Sequence, residues 1–416
     1  MPSALAVLHG ERRIAHDTLR ELIGDFAQAA QKAGIGAGQR VAVRCAPGPD
    51  ALVAQLALLD AGALVVPLPG RLAAAECAAL LERCGIEWMV GAGTLQHTGR
   101  RSAPARGAVL GLLSSGSTGM PKLALVSRAQ LAASLDVYRQ SFALRADDRL
   151  LSLVPLEHGF GLRFVHAVLA AGGSVVLPSS HQPRLVMEEA RGATLLAAGP
   201  RYLELLARRP LPGVRAVVAG GGVSSRLHAA FTPVPLWQSY GASEAGTICL
   251  NRDGFAIDGQ LALGRPNPGV AVELLDGEIV ARSAAVALGY DGEPGDSAIV
   301  DGAFHSGDLG RWVGDQLVFA GRRKLLIDTG AQKVDPNEVE AVLRSHPAIR
   351  DAAVIGEGSA GGQTIVAILV ADAPLPLLEI TEWCARELSP HKLPRRVEYR
   401  DALPRDALGK LRRDRI

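Results

Sequence analysis

The chain has 416 residues, 48% of them hydrophobic, and carries 44 basic against 42 acidic side chains for a formal net charge of +2. That length predicts two or three domains of ordinary size. The apolar content excludes a mainly disordered chain, and the balanced charge excludes a dedicated nucleic-acid binder, which needs a marked basic excess. The best apolar run, 165–177, is interrupted by His166, Gly172, Gly173 and Ser174, so no membrane span is predicted. Glu11, Arg12 and Arg13 leave no signal-peptide core at the start.

In chain order, Thr18 and Glu21 have the spacing of a capping box, after which Leu19, Leu22, Ile23 and Phe26 fall on one helical face. Residues 41–43 read as a strand, 51–59 as a helix, 63–66 as a strand ended by Pro67, 73–84 as a helix and 88–90 as a strand. The alternation continues through strands at 174–177 and 214–218 and predicts a largely parallel sheet covered on both faces. From about Gly254, short strands at 270–275, 278–281 and 317–319, separated by Gly and Asp, predict an antiparallel subdomain. A break follows near Gly321, Arg322, Arg323 and Lys324. Beyond it, helices at 336–345 and 377–388 and strands at 352–355 and 364–370 predict a compact α+β module. The expected fold class is therefore α/β: a large N-terminal body over 1–322, made of parallel α/β subdomains and a small antiparallel β subdomain, then a small α+β domain over 323–416.

Five cysteines (Cys45, Cys77, Cys84, Cys249, Cys384) form neither a CxxC pair nor an even disulfide framework, which predicts buried thiols in a reducing cytoplasm. Only six of the 44 basic residues are lysine: Lys32, Lys122, Lys324, Lys333, Lys392 and Lys410. A GC-rich genome that favours arginine codons is the plain explanation for this bias; the alternative is that a lysine retained where arginine is the default has a role that needs a compact charge.

The sharpest local signal runs from Leu112 and Leu113 through Ser114, Ser115, Gly116, Ser117, Thr118, Gly119, Met120 and Pro121 to Lys122. A loop of small hydroxyl-bearing residues brings N–H groups and hydroxyls close to phosphate oxygens, with the lysine as a point charge. The order differs from a GxxxxGK[ST] P-loop, and a plain Gly/Ser turn is the alternative. Further segments follow in order: Pro155, Leu156, Glu157, His158, Gly159, Phe160 and Gly161; Gly220, Gly221 and Gly222 before Ser224; Tyr240, Gly241, Ala242, Ser243 and Glu244; Ser306, Gly307 and Asp308; Gly321 and Arg322 with Val334, Pro336, Glu338, Val339 and Glu340; and Pro404 to Gly409 and Lys410.

Taken together, over roughly residues 40 to 416, these segments resemble the motifs of the adenylate-forming superfamily: acyl-CoA and aryl-CoA synthetases, nonribosomal peptide adenylation domains and luciferases. The resemblance implies an adenylation domain followed by a mobile C-terminal lid, with Lys324 at the hinge. It implies that Ser114, Ser115, Gly116, Ser117, Thr118, Gly119 and Lys122 grip the β- and γ-phosphates of ATP, and that Glu244 and Thr118 hold Mg2+. Gly220, Gly221, Gly222, Tyr240, Gly241 and Ser243 would meet the adenine side, and Asp308 with Arg322 the ribose. His158, Phe160 and Ala242 would line the acid site. Lys410, with Lys122 and Glu244, would be catalytic as the carboxylate attacks the α-phosphate.

The implied reaction makes an acyl-adenylate and pyrophosphate, then transfers the acyl group to the thiol of coenzyme A or of the phosphopantetheine on a separate acyl carrier protein. The nine Lys/Arg and four Asp/Glu of 391–416 form either a solvated face or a partner for such phosphates or an acidic carrier. Against the family pattern, Leu325 replaces the acidic residue after the hinge lysine, Asp328 replaces a lysine, and Ala331 replaces the second glycine of the tunnel loop. The segment around His158 lacks the Asp that holds an ammonium in amino-acid-activating domains, Glu157 being off register, and has Gly159 where dihydroxybenzoate enzymes have Asn. A simple aryl or acyl carboxylate is therefore expected, in a pocket that is small or open because the chain is short for the family. Two competing expectations are an adenylation-only or amino-acid-activating relative, and a serine hydrolase built on Ser243 with His305, His346 or His391.

Overall fold

A computed structural model describes residues 4–70, 72, 74–91, 93–105, 107–114, 122–292, 297–322, 327–329, 333–358, 363–388, 390–405 and 411–416; the side chains of 74–76, 328, 333, 391 and 414 are outside it. The expected parallel sheet is two sheets. The first runs, edge to edge, through Gly289–Tyr290, Lys122–Ser127, Ala108–Ser114, Leu64–Pro69, Arg40–Cys45, Trp88–Gly91 and Thr94–His97. The second runs through Arg265–Pro266, Gly246–Asn251, Leu236–Ala242, Ala216–Gly220, Leu195–Ala198, Arg149–Ser152, Ser174–Val176, Leu5–His9 and Arg12–Ala15. Its inner strands are parallel and near-continuously apolar, as strands covered on both faces must be.

Antiparallel pairs also occur before Gly254: Leu5–His9 with Arg12–Ala15, Trp88–Gly91 with Thr94–His97, Ala108–Ser114 with Lys122–Ser127, and Leu236–Ala242 with Gly246–Asn251. The small sheet follows, with Ala271–Leu275, Glu278–Arg282, Ala303–Val313, Ile299–Val300 and Gln316–Arg322. The C-terminal module has its own three-stranded sheet (Ile349–Glu357, Thr364–Ala371, Arg396–Tyr399) under the helices Pro336–Arg344 and Leu377–Cys384, with a separate apolar core around Val339, Leu343, Val354 and Leu369. Among the described residues, no helix is long and apolar enough to cross a membrane.

Three local expectations are corrected. The first helix is His16–Lys32, capped by Ala15 without a side-chain bond, so the Thr18–Glu21 capping box does not form. The hairpin before it feeds directly into the helix, and the His16 N–H donates to the Ala4 carbonyl (2.8 Å), which leaves less for a side chain to cap. Pro67 does not end its strand. It stands opposite Val43, while the register with Ala108–Ser114 is set upstream at Val65 and Leu110, so the missing N–H is tolerated. The strand expected at 214–218 lies at Ala216–Gly220, which carries the glycine turn directly off its end.

The run 165–177 resolves into the end of the helix Gly159–Ala170 and the strand Ser174–Val176. That helix is buried on nearly every side and packs Phe164 into a cluster with Tyr138 and Phe142 (Phe142–Phe164 centroids 4.5 Å apart, stacked). Its position matters for function. From Arg149–Ser152 the chain passes through this helix to Ser174–Val176 on one side, then returns through Pro183–Glu189 to Leu195–Ala198 on the other. The outgoing connections of two neighbouring parallel strands thus diverge, and such a switch point opens a crevice at the carboxyl ends of the strands.

Candidate active site

Three of the sequence motifs leave adjacent or near-adjacent parallel strands at that edge. Arg149–Ser152 leads to Glu157, His158 and Phe160; Ala216–Gly220 leads to Gly221 and Gly222; Leu236–Ala242 leads to Ser243 and Glu244. The register keeps the last two level, with Gly220 opposite Ser239. The glycines are there for space. A Cβ on Gly220 would lie 2.9 Å from the Phe160 ring, and one on Gly241 would lie 2.1 Å from the Gly246 carbonyl oxygen. Phe160 therefore stands edge-on against the glycine turn, braced from behind by Tyr138 and Phe164. His158 caps the buried helix from the crevice side.

The phosphate-type loop belongs to the other sheet. Ser114 and Lys122 are cross-strand partners at its two ends, whereas Ser115, Gly116, Ser117, Thr118 and Gly119 lie outside the described residues. Several contacts lock the two sheets together at this point. Ser243 Oγ donates to the Leu113 carbonyl (3.4 Å), and a Cβ on Gly159 would lie 3.2 Å from Leu112 Cδ1. Tyr290, on the edge strand paired to Lys122–Ser127, donates its hydroxyl to Glu244 Oε1 (2.8 Å), and the Ala287 N–H donates to the Glu244 carbonyl (2.7 Å). Lys122 Nζ sits 5.3 Å from the centre of the Tyr290 ring. Lys122, Tyr290 and Glu244 thus form one chain from the phosphate loop to the second sheet.

Glu244 is 7% exposed. Among the described residues no three His, Cys, Asp or Glu side chains gather to hold a metal. A single buried carboxylate beside a phosphate-type loop fits Mg2+ that arrives on a nucleotide and keeps water and phosphate oxygens, and does not make a resident metal cage.

The small sheet supplies the third wall. Asp308, 5% exposed, accepts from the Tyr240 hydroxyl on Oδ2 (2.8 Å) and from Arg322 Nε on Oδ1 (2.7 Å). Asp308 and Arg322 face each other across two strands, and the preceding turn is held by the Gly307 N–H donating to Glu278 Oε1 (2.8 Å). Burial, with the Asp308 charge beside it, holds the Tyr240 phenol well above its ordinary value, so it remains a donor.

Glu157 Oε2 is buried without a hydrogen-bond partner. Its charge acts on the Cys45 thiol of the first sheet, and burial pushes its own carboxyl up to about 7. The serine-hydrolase expectation fails on geometry. Ser243 lies on a strand-to-strand turn between Leu236–Ala242 and Gly246–Asn251, whereas a nucleophile elbow needs strand-to-helix. His305 lies 3.7 Å from Glu278, and His346 lies 3.7 Å from Glu379 in the C-terminal module.

Lys324, Ala331 and Lys410, and the side chain of Asp328, lie outside the described residues. The flanks of Lys410 are described: Arg405 and Leu411 form an isolated bridge, Arg405 grips Asp351 through both carboxylate oxygens (2.7 Å each), and Arg413 pairs with the buried Glu340. Two residues of the site were not singled out in the sequence, Tyr290 and Arg163. Arg163 carried a readable signal, an arginine inside an otherwise apolar helix; Tyr290 carried none, because its pairing with Lys122–Ser127 is long-range.

The chain is similar to a known family and to solved structures of the same fold. Residues 1–110 and 100–291 match the family described as AMP-binding enzyme, and 338–410 match the AMP-binding enzyme C-terminal domain. The chain is 28% identical to an indoleacetate–CoA ligase of Aromatoleum aromaticum, covering 100% of the chain and 95% of that enzyme. It is 29% identical to a feruloyl-CoA synthase of an Amycolatopsis species, covering 99% and 94%. Its fold matches the O-succinylbenzoate coenzyme A synthetase of Bacillus subtilis solved with AMP, at a TM-score of 0.89 and 23% identity over 100% of this chain and 95% of that one.

Proposed function

The chain belongs to the AMP-binding enzyme family, and from that premise we propose that it is an ATP-dependent acid–thiol ligase that joins an aryl or acyl carboxylic acid to coenzyme A. In the first step a carboxylate oxygen attacks the α-phosphorus of ATP, the bond to the β-phosphate bridge breaks, and pyrophosphate leaves with its electron pair. In the second, the thiol sulfur attacks the acyl carbon of the adenylate, its proton is lost, and AMP departs. The observation that supports this reading is a run of contacts through the motif residues, from Lys122 over Tyr290 to Glu244 and from Tyr240 to Asp308 and Arg322.

Each motif has a task. Lys122 and the hydroxyls of its loop balance charge on the departing pyrophosphate, Glu244 faces the Mg2+ brought by ATP, and that ion neutralises phosphate charge when bound. Asp308 meets the ribose. His158, Phe160 and Ala242 border the acid. Lys410 enters from the C-terminal domain, 323–416, which turns about Lys324 between the half-reactions. The free thiols Cys45, Cys77, Cys84, Cys249 and Cys384 suit a cytoplasmic enzyme. A separate phosphopantetheinylated carrier protein is the alternative acceptor, favoured by the basic excess of 391–416.

Pyrophosphate exchange across a panel of aryl, fatty and amino acids, followed by addition of coenzyme A or a carrier protein, tests this reading. Exchange with an aryl or acyl acid and thioester formation on coenzyme A are expected. Exchange confined to amino acids, or adenylate that no thiol consumes, would instead support the amino-acid-activating or adenylation-only reading. Tyr290→Phe removes one hydrogen bond to a charged group, so kcat for exchange should fall about tenfold while the fold persists. Wild-type rates in that variant would separate Tyr290 from the site.

A further inference from the structure

Arg163 is the largest fully buried side chain among the described residues, at 0% exposed, in the middle of the apolar helix Gly159–Ala170. Taking a guanidinium out of water costs several kcal/mol even after partial compensation, and a well-packed apolar side chain of similar length generally serves a core as well or better. Packing alone therefore does not account for it. Its surroundings do. Nη2 donates to the Ser243 carbonyl (2.9 Å), and a Cβ on Gly159 would sit 3.0 Å from Nη1, so the helix start needs glycine to let the guanidinium reach the turn. Burial pulls Arg163 below its ordinary value, and the charge of Glu244 opposes that pull, which places Glu244 within electrostatic reach. Nε and Nη1 are buried without a hydrogen-bond partner, as is Ser134 Oγ; Nε and this hydroxyl border Gly246, where a Cβ would lie 2.8 Å from Oγ and 3.9 Å from Nε. The guanidinium is thus committed to the turn on one side only.

We propose that Arg163 is a positioning residue for adenylation, tying the turn that carries Glu244 to the helix that carries His158 and Phe160, so that the nucleotide-facing carboxylate and the acid-facing wall move as one body. The inference rests on the adenylation reading above. Without the tie, the Ser243 carbonyl loses its charged donor, and the turn keeps the Ala287 N–H, the Tyr290 hydroxyl and the long bond from Ser243 Oγ to the Leu113 carbonyl. The displacement would affect the triphosphate and its Mg2+ more than the nucleoside, whose ribose Asp308 meets from the separate small sheet.

The test uses the full chain with Arg163→Met and Arg163→Lys. Loss of a charged hydrogen bond predicts that Arg163→Met lowers kcat for pyrophosphate exchange and weakens calorimetric binding of ATP with Mg2+ by about 10–100-fold, while binding of AMP alone stays within about threefold. Arg163→Lys, which keeps the charge and one donor, should recover part of the loss. A purely structural role would lower thermal stability and the active fraction equally for every ligand, leaving the ratio of ATP to AMP affinity at the wild-type value. That result overturns the proposal. If Arg163→Met fails to fold, the same affinity ratio measured on Arg163→Lys decides, and an unchanged ratio there also overturns it. Absence of exchange in the wild-type enzyme with every acid would remove the adenylation reading itself, and the inference with it.

Discussion

Replacing Lys410 with Ala is expected to lower the rate of acyl-adenylate formation by about 10²–10³-fold, the usual effect of deleting one preorganised charge aimed at a developing anion. As the acid attacks the α-phosphorus, negative charge builds on its non-bridging oxygens. In the proposed mechanism Lys410, brought in from the C-terminal domain, opposes that charge in the transition state and contributes little to ground-state ATP. ATP and AMP affinity should therefore remain within about threefold of wild type, so the loss falls on kcat rather than KM. The variant should fold normally. The described residues on either side of Lys410 make their own contacts, the Arg405–Leu411 bridge, Arg405 on Asp351, and Arg413 on Glu340, Asn337 and the Val354 carbonyl, none of which involves the lysine. Lys410→Arg should recover only a fraction, because a planar fork does not reproduce a compact ammonium. Unchanged pyrophosphate exchange in Lys410→Ala would remove the residue from the mechanism.

Asp308→Asn should instead act on binding, raising the KM for ATP and the Kd for AMP by about 10–100-fold with a smaller change in kcat. A carboxylate has about four lone-pair sites, of which Tyr240 and Arg322 occupy two, leaving acceptors for the two ribose hydroxyls. Asparagine offers one acceptor oxygen and turns an amide donor towards either the Tyr240 hydroxyl or the Arg322 guanidinium, so one buried donor is set against another. Calorimetric titration with AMP measures this without any acid or metal. Wild-type AMP affinity would take Asp308 away from the nucleoside.

These two predictions differ in how much of their basis was legible in the sequence. Asp308, Tyr240, Glu244, Lys122 and the glycine turn were readable because each motif is short and its residue types state their chemistry: hydroxyls and glycines for phosphate, a carboxylate for diol or cation. Helix and strand identities in the inner layers were equally readable, since apolar runs of strand length alternated with amphipathic or fully apolar helices. What misled was local evidence with a non-local answer. Thr18 had capping-box spacing, yet a hairpin reached from Leu5 to Ala15 and started the helix at His16. Pro67 looked like a stop, yet its strand ran on to Pro69. Ser243 had most of a nucleophile elbow, yet the turn leads to a strand and its hydroxyl bonds the Leu113 carbonyl.

The sequence by itself determined the class of the fold, the order of the motifs and the chemistry each could perform, because those properties reside in residue type and short spacing. Only the tertiary structure decided how the motifs meet. It split the parallel sheet in two, set a topological switch point between Arg149–Ser152 and Leu195–Ala198, and let Tyr290 bind the Glu244 carboxylate and Arg163 the Ser243 carbonyl of one turn. Those contacts join residues separated by 46 and 80 or more positions, where no local pattern constrains the pairing. The packing of whole sheets around one buried helix fixes them, and that packing is a property of the complete chain.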